Sequence, residues 1–281
     1  MLDCAGSFFI LFLWVFYALY QNINYFMVSI RKLIMILYEG ESLLDGQPIV
    51  AIAIKKSSNE KTGDMVQTYI LRQDVSPMMA SKLGLDVSIC GDCKHRGVPS
   101  YDEDRATAEN RTCYVTLVHG PNNVYKAYRK GRYSFPKLGE MAQLGEGAFI
   151  RLGTYGDPAA VPSRVWDTLL KHSSGHTGYS HQWEDYPEIV GLIPDLVMAS
   201  ADSLRQARKA WSQDYRTFRT LPVWEYAAGV NMPQSNEIFC PESPEGGAST
   251  TCRDCLLCEG NRKQAKNIVI VAHGAAKMKV Q

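Results

Sequence analysis

The sequence predicts a mixed α/β domain over residues 35–281, a partial or complete (βα) barrel with cysteine-rich loops, preceded by a β-hairpin. Three observations lead there. From Met35 onward, short apolar runs alternate with segments at helical spacing, the pattern of βαβ units and a largely parallel sheet. Neither a strand–GxGxxG–helix element nor GxxxxGK[ST] occurs, which removes the common nucleotide folds and favours a barrel with functional groups at the C-terminal strand ends. The cysteines are grouped in polar connections between the apolar runs.

The elements follow in order. PIVAIAI (48–54) and VQTYIL (66–71) are β-rich runs separated by a polar turn, as in a hairpin. Residues 76–83 read as a short helix with Ser76 as N-cap and Pro77 in first position. Residues 90–112 are loop-like, and Cys113 opens an expected strand, CYVTLVH. A basic, tyrosine-bearing helix is expected over 122–132. The strand at 148–154 ends in Tyr155-Gly156-Asp157-Pro158. Residues 163–172 form a helix capped by Ser163, with Val165, Trp166 and Leu169 on one face. Strands at 178–183, 195–201, 215–221 and 267–273 and a helix at 204–214 complete the chain.

The chain has 281 residues, 46% of them hydrophobic, enough to bury a sizeable core. A formal net charge of +1 speaks against a globally basic nucleic-acid binder. Residues 1–34 stand apart from the rest. The apolar run 8–20 is shorter than the roughly 20 residues of a spanning helix, and extending it crosses Gln21, Asn22 and Asn24. It lacks the basic flank of a signal peptide. A membrane tether and a start at Met27 or Met35 are the competing readings, and the main domain is expected in the cytoplasm.

Of eight cysteines, Cys4 is alone and the others fall in two clusters. An odd number cannot all pair as disulfides, and clustered C-x-x-C spacing points to metal or redox use in a reducing compartment. Cys240-Pro241 precedes Cys252-Arg-Asp-Cys255-Leu-Leu-Cys258. Each two-residue turn returns the next sulfur to one point, and a fourth thiolate arrives from a remote Cys-Pro, as in ferredoxin-type [4Fe–4S] ligation. Zinc is the competing metal, although it more often takes two separate C-x2-C pairs; structural thiols without metal are the plain alternative. Cys90, Cys93 and Cys113 form a second, three-thiol set. Such a set leaves an iron open to substrate or cofactor, or takes zinc with His95 or His119 as a fourth ligand; a loop of buried, inert thiols is again the bland reading.

Arg151 lies within one expected strand and Asp157 just past its end. They read either as a simple ion pair or as an anion clamp for substrate or cofactor. His181, Asp202 and His273 end later strands, and His181 is an acid–base candidate or a hydrogen-bonded structural histidine. In VYKAYRKGRY, basic residues interleaved with aromatics suit nucleic-acid contact, although a helix with one packed and one solvated face is the simpler reading.

The ordered set CGDC-x-HR, TCYV, FIRLGTYGDP, GYSHQW and CP…TCRDCLLC followed by IVIVAHG resembles phage and prophage proteins similar to the radical-SAM-like barrel group. The resemblance covers residue 35 to about 274 and implies a cluster at the barrel mouth held by Cys90, Cys93 and Cys113, with Arg151 and Asp157 nearby. It implies iron–sulfur clusters, S-adenosylmethionine as a further cofactor, an electron donor, and a small-molecule or nucleic-acid-derived substrate. Radical SAM enzymes place their three ligands in C-x3-C-x2-C, whereas Cys113 lies far beyond Cys93, a departure that bears on S-adenosylmethionine rather than on the metal. The alternative is a zinc-stabilised nucleic-acid or protein binding module.

Overall fold

The computed structural model describes residues 34–55, 62–191, 193–247, 250–261 and 265–280. The N-terminal apolar run and the turn at 56–61 lie outside the described residues. Three strands open the fold: β1 (Ile34–Glu41), β2 (Pro48–Ile54) and β3 (Val66–Arg72). They pair antiparallel in sequence order, with Ile36 opposite Ile52 and Val50 opposite Leu71. In β2 the residues Ile49, Val50, Ala51, Ile52 and Ala53 are all fully buried, which is why its apolar run is continuous rather than alternating.

Beyond β3 every pairing is parallel. β4 (Phe149–Tyr155) lies beside β3, and β5 (Gly175–Thr177) lies beside β4. One residue later the same segment becomes β6 (Tyr179–Ser180), which pairs with β7 (Met198–Ala201). β8 (Thr217–Leu221) and β10 (Asn267–Val271) follow, and β9 (Glu237–Phe239) is the outer strand. The result is two five-stranded sheets, ordered β1-β2-β3-β4-β5 and β6-β7-β8-β10-β9. They meet at Gly178, whose carbonyl accepts the Met198 N–H at 2.9 Å. A Cβ at Gly178 would lie 2.6 Å from the Leu196 carbonyl oxygen, so the strand changes sheets where no side chain fits.

Parallel neighbours require crossover connections. Among the described residues these carry nine helices: α1 (Pro77–Lys82), α2 (Val87–Cys90), α3 (Gly120–Arg129), α4 (Glu140–Gly145), α5 (Ser163–Leu170), α6 (Pro187–Val190), α7 (Leu204–Trp211), α8 (Val223–Ala228) and α9 (Cys252–Cys255). The expected helix start at Ser76 holds: its side chain accepts the Met79 N–H, and Pro77 occupies the first turn. In α5, Val165, Trp166 and Leu169 are the buried face, and the Trp166 indole N–H donates to the Pro158 carbonyl at 3.0 Å. One main core spans both sheets, from Ile49 and Leu71 through Leu152 and Trp166 to Val197 and Ala199.

The structure departs from the sequence reading in several places. Residues 113–119 form no strand. Of that run only Leu117 is buried, and the Thr112 and Cys113 N–H groups both go to the His95 carbonyl rather than to a neighbouring strand. Ser163 does not cap its helix; Pro162 precedes it with no side-chain cap. The expected strand at 178–183 is shifted and split into β5 and β6. On α3, Val124 and Tyr125 are buried while Lys126 and Arg129 are exposed, as the two-faced reading expects. Among the described residues no helix is long and apolar enough to cross a membrane.

Candidate functional site

The seven cysteines at positions 90, 93, 113, 240, 252, 255 and 258 all line a single cavity of about 420 Å³. Alternate residues of the parallel strands supply its wall: Arg151, Gly153 and Tyr155 from β4, Thr177 and Tyr179 from the shared segment, Phe218 and Thr220 from β8, and Ile268 and Ile270 from β10. The period of two places every second side chain on this inner surface. All seven are free thiols.

Cys90, Cys93 and Cys113 share the cavity rim with Tyr155, Asp157 and His181, at the C-terminal ends of β4 and β6. Cys90 ends α2, which Gly91 stops at φ +51°. The Arg96 guanidinium fixes this turn by donating to the carbonyls of Gly84 and Gly91 and to the Asp86 carboxylate. Gln182 donates to the Cys90 carbonyl at 2.8 Å. Of the second set, Cys258 lies toward the N-terminal strand ends. The Cys258 carbonyl accepts the Gly178 N–H, and its side chain packs against Met198 and Ile268 near the starts of β7 and β10. Arg253, between two of these cysteines, stacks 5.2 Å from the ring of Phe149, the first residue of β4. Cys240 follows β9 and donates its N–H to the Val269 carbonyl. Both sets thus sit in crossovers, β3 to β4 and β9 to β10, which fold back over the inner surface of the sheets.

Burial dominates the electrostatics of the thiols. It pushes Cys90 well above the ordinary thiol range, and Cys113 and Cys240 upward as well. Cys258 is pushed up to about 12, with a hydrogen bond from Tyr179 working against the burial. Each is further raised by neighbours of its own set, Cys93 and Cys113 acting on Cys90, and Cys240, Cys252 and Cys255 acting on Cys258. Thiolates here therefore need a cation, and thiols are soft-metal donors, although among the described residues no three of these sulfurs lie within 4.8 Å of one another. Two buried hydroxyls on the cavity wall, Tyr155 Oη and Thr177 Oγ1, have no hydrogen-bond partner, the mark of a site built around a further group. The thiols are the donor type a soft metal takes, and the two hydroxyls offer polar contacts to a further group.

Arg151 and Asp157 do not pair. Arg151 lies midway along the cavity, where Nη2 donates to Tyr114 Oη at 2.8 Å and the guanidinium sits 5.6 Å from the Tyr179 ring centroid. Burial works against its charge, but Tyr114, Tyr179 and Cys252 together hold the cation in place. Asp157 is 7% exposed, and backbone groups occupy its carboxylate: the Ala159 N–H at 3.0 Å and the His181 N–H at 2.8 Å. Desolvation nevertheless raises its pKa. Asp157 thus ties the end of β4 to the end of β6.

The remaining candidates converge at the rim. His95 Nε2 lies 2.8 Å and His181 Nε2 3.7 Å from the same oxygen of Asp202. Burial favours the neutral Asp202 carboxyl, but hydrogen bonds from His181 and His95 hold it far below the usual carboxylate range. Burial also opposes charge on His181, yet Cys93 and Asp202 raise its pKa well above the ordinary histidine value. His273 lines the cavity with its ring 5.2 Å from that of Tyr114. His119 is exposed at the start of α3 and is not on the cavity wall, which leaves His95 as the nearer of the two expected zinc partners. Sequence reasoning passed over Tyr155, Tyr179, Thr177 and Tyr114. The strand period through Arg151 was the available signal for Tyr155, since alternate residues share a face.

Comparison of the chain with protein-family models, with curated proteins and with solved structures gives no match.

Proposed function

We propose that this chain is an iron–sulfur protein of partial (βα) barrel type. One observation carries the reading: seven cysteines, three from one crossover and four from another, line one cavity. The four-thiol set, Cys240, Cys252, Cys255 and Cys258, would close a [4Fe–4S] cluster suited to electron transfer. The three-thiol set, Cys90, Cys93 and Cys113, would leave one coordination position facing the cavity. An open cluster supplies one-electron chemistry to a bound molecule. The polypeptide's part is positional. Arg151 lies between the sets, within reach of an anionic group of a substrate or of S-adenosylmethionine. Tyr114, Tyr179 and Phe218 give that space aromatic faces against a small or nucleotide-derived substrate. Asp157 holds the rim rigid through its backbone contacts. An external electron donor and a phage-type origin belong to the same proposal.

A zinc-stabilised binding module is the second reading, favoured by the nitrogen ligands beside Cys93. In it both cysteine sets are structural, and the exposed basic face of α3 carries the interaction with nucleic acid or protein. Iron, sulfide and zinc in anaerobically purified protein discriminate, together with a visible spectrum before and after adding S-adenosylmethionine. Brown protein with iron and sulfide is expected; colourless protein with stoichiometric zinc overturns the iron–sulfur reading.

A further inference from the structure

We infer that His95, His181 and Asp202 form a mononuclear site for a divalent transition metal such as Zn²⁺ or Fe²⁺, distinct from both cysteine sets. None of the three ligand atoms is a thiol, but His181 is hydrogen-bonded to Cys93, so the site adjoins the three-thiol set, and a metal that Cys93 shares with either histidine excludes it. The three residues come from separate parts of the chain: a turn in the β3–β4 crossover, the end of β6 and the end of β7. Their ligand atoms nonetheless lie within 4.8 Å of one another. Ligands at about 2.0–2.2 Å from one ion stand roughly 3–4.4 Å apart, so only small shifts are needed to close on a metal. Two imidazoles and one carboxylate are a ligand set suited to iron or zinc, and three ligands leave positions open.

The surroundings position the set. The second ring nitrogen of His95, Nδ1, is bonded to Thr112 Oγ1 at 2.7 Å, which directs Nε2 to the shared centre. Metal-binding histidines are commonly held this way through the nitrogen that does not bind. The Asp202 N–H is bonded to Gln206 Oε1 at 2.9 Å, and Ser203 caps α7 directly after it, so the carboxylate has little freedom. Both histidines approach the same oxygen, Oδ1; Lys94 Nζ lies 3.9 Å from the other, Oδ2, with its side chain half exposed. His95 and His181 also line the cavity, so an open coordination position would face the space beside Cys93. An ordinary hydrogen-bonded His–Asp–His relay is the rival, and metal binding separates the two.

The test uses the full-length protein purified anaerobically, with sulfide and all bound metals quantified, then titrated with Co²⁺. One metal equivalent beyond those held by the cysteines is expected, either already present or taken up as cobalt. Bound cobalt should show the weak visible bands of nitrogen and oxygen ligation, without intense sulfur-to-cobalt charge transfer. Asp202→Asn and His95→Gln should each weaken this equivalent at least tenfold while sulfide content stays unchanged. Thr112→Val, a positioning change that leaves every ligand in place, should weaken it less and keeps the test readable where a ligand variant fails to fold. No additional equivalent, cobalt bound through sulfur, or affinity unchanged in Asp202→Asn each overturns the site. Sulfide reports on the cysteine clusters alone, so a colourless, sulfide-free protein that still binds cobalt through these residues refutes the iron–sulfur reading and leaves this one standing.

Discussion

At the scale of single residues, the turn after β4 shows how little freedom the rim has. Gly156 adopts φ +85°, and a Cβ there would lie 2.9 Å from the Ile70 carbonyl oxygen and 2.7 Å from its Cβ. Gly153, at φ +65° within β4, meets the same obstacle from the Gly156 carbonyl at 2.5 Å. Both strained conformations are open to glycine and costly to other residues. Gly156→Ala should therefore destabilise the protein by about 1–3 kcal/mol, read as a lower urea midpoint; an unchanged midpoint would show that the turn relaxes freely. Asp157, next in sequence, makes a sharper case. If its carboxylate held substrate, Asp157→Ala would impair ligand binding and spare stability. The backbone N–H groups of Ala159 and His181 instead depend on it. Losing a buried acceptor costs about 1–3 kcal/mol, so the variant should melt earlier. A wild-type melting temperature would return Asp157 to the ligand-binding role.

At the scale of elements, the second sheet contains a buried ion pair that joins strands on either side of β10. Arg219 on β8 donates to both oxygens of Glu237 on β9, at 2.7 and 2.8 Å, with side chains 1% and 0% exposed. Removing one partner strands a buried charge, at a cost of about 3–5 kcal/mol, whereas an apolar replacement of both is often neutral. Glu237→Leu alone should lower the melting temperature strongly, and Arg219→Leu combined with it should recover most of the loss; a double variant no better than the single would refute this. The pair also explains why β9 was not legible in the sequence: three residues, Glu-Ile-Phe, give no period. The long apolar strands were legible, because β2, β4, β8 and β10 each declare themselves by β-branched or alternating residues. The expected strand at 113–119 failed for the opposite reason. CYVTLVH has strand composition, but the His95 carbonyl takes the N–H of its first residue, Cys113, and of Thr112 before it, and local hydrogen bonding overrode propensity. The cysteine spacing marked two groups in the chain, and all seven line the cavity. It could not show that they face one cavity, because that depends on how two crossovers far apart in the chain fold against the two sheets. The convergence of His95 with His181 and Asp202 was hidden in the same way.

At the scale of the whole molecule, the cavity is lined by crossovers far apart in the chain. Cys90, Cys93 and Cys113 belong to the crossover that enters the first sheet, and Cys252, Cys255 and Cys258 to the one that closes the second. A metal bound at either set adds its binding energy to folding, since a preformed site rarely exists in the unfolded chain. The two sets should not contribute alike. α9 is a single turn of helix with no buried residue, Thr251 caps it, its neighbours Leu257 and Cys258 pack in the small cluster around Met198 and Ile268, and Arg253 covers the ring of Phe149. The β9–β10 connection is therefore held mostly by hydrogen bonds, such as those of the Cys258 and Gly260 carbonyls, and has few apolar residues buried beneath it, so metal would add a larger share of its constraint. The Cys90 turn, by contrast, is held by Arg96 and Gln182 and rests against buried Ile89. Cys255→Ser should strip the four-thiol set and lower the melting temperature markedly. Cys90→Ser should remove the three-thiol set's metal, leave the other set loaded and change the melting temperature less. Metal content and thermal melts on both variants decide the matter. Full metal with an unshifted melt in Cys255→Ser would refute metal binding at that set. Loss of all metal from Cys90→Ser would mean that the seven thiols, facing one cavity, hold one shared centre rather than two.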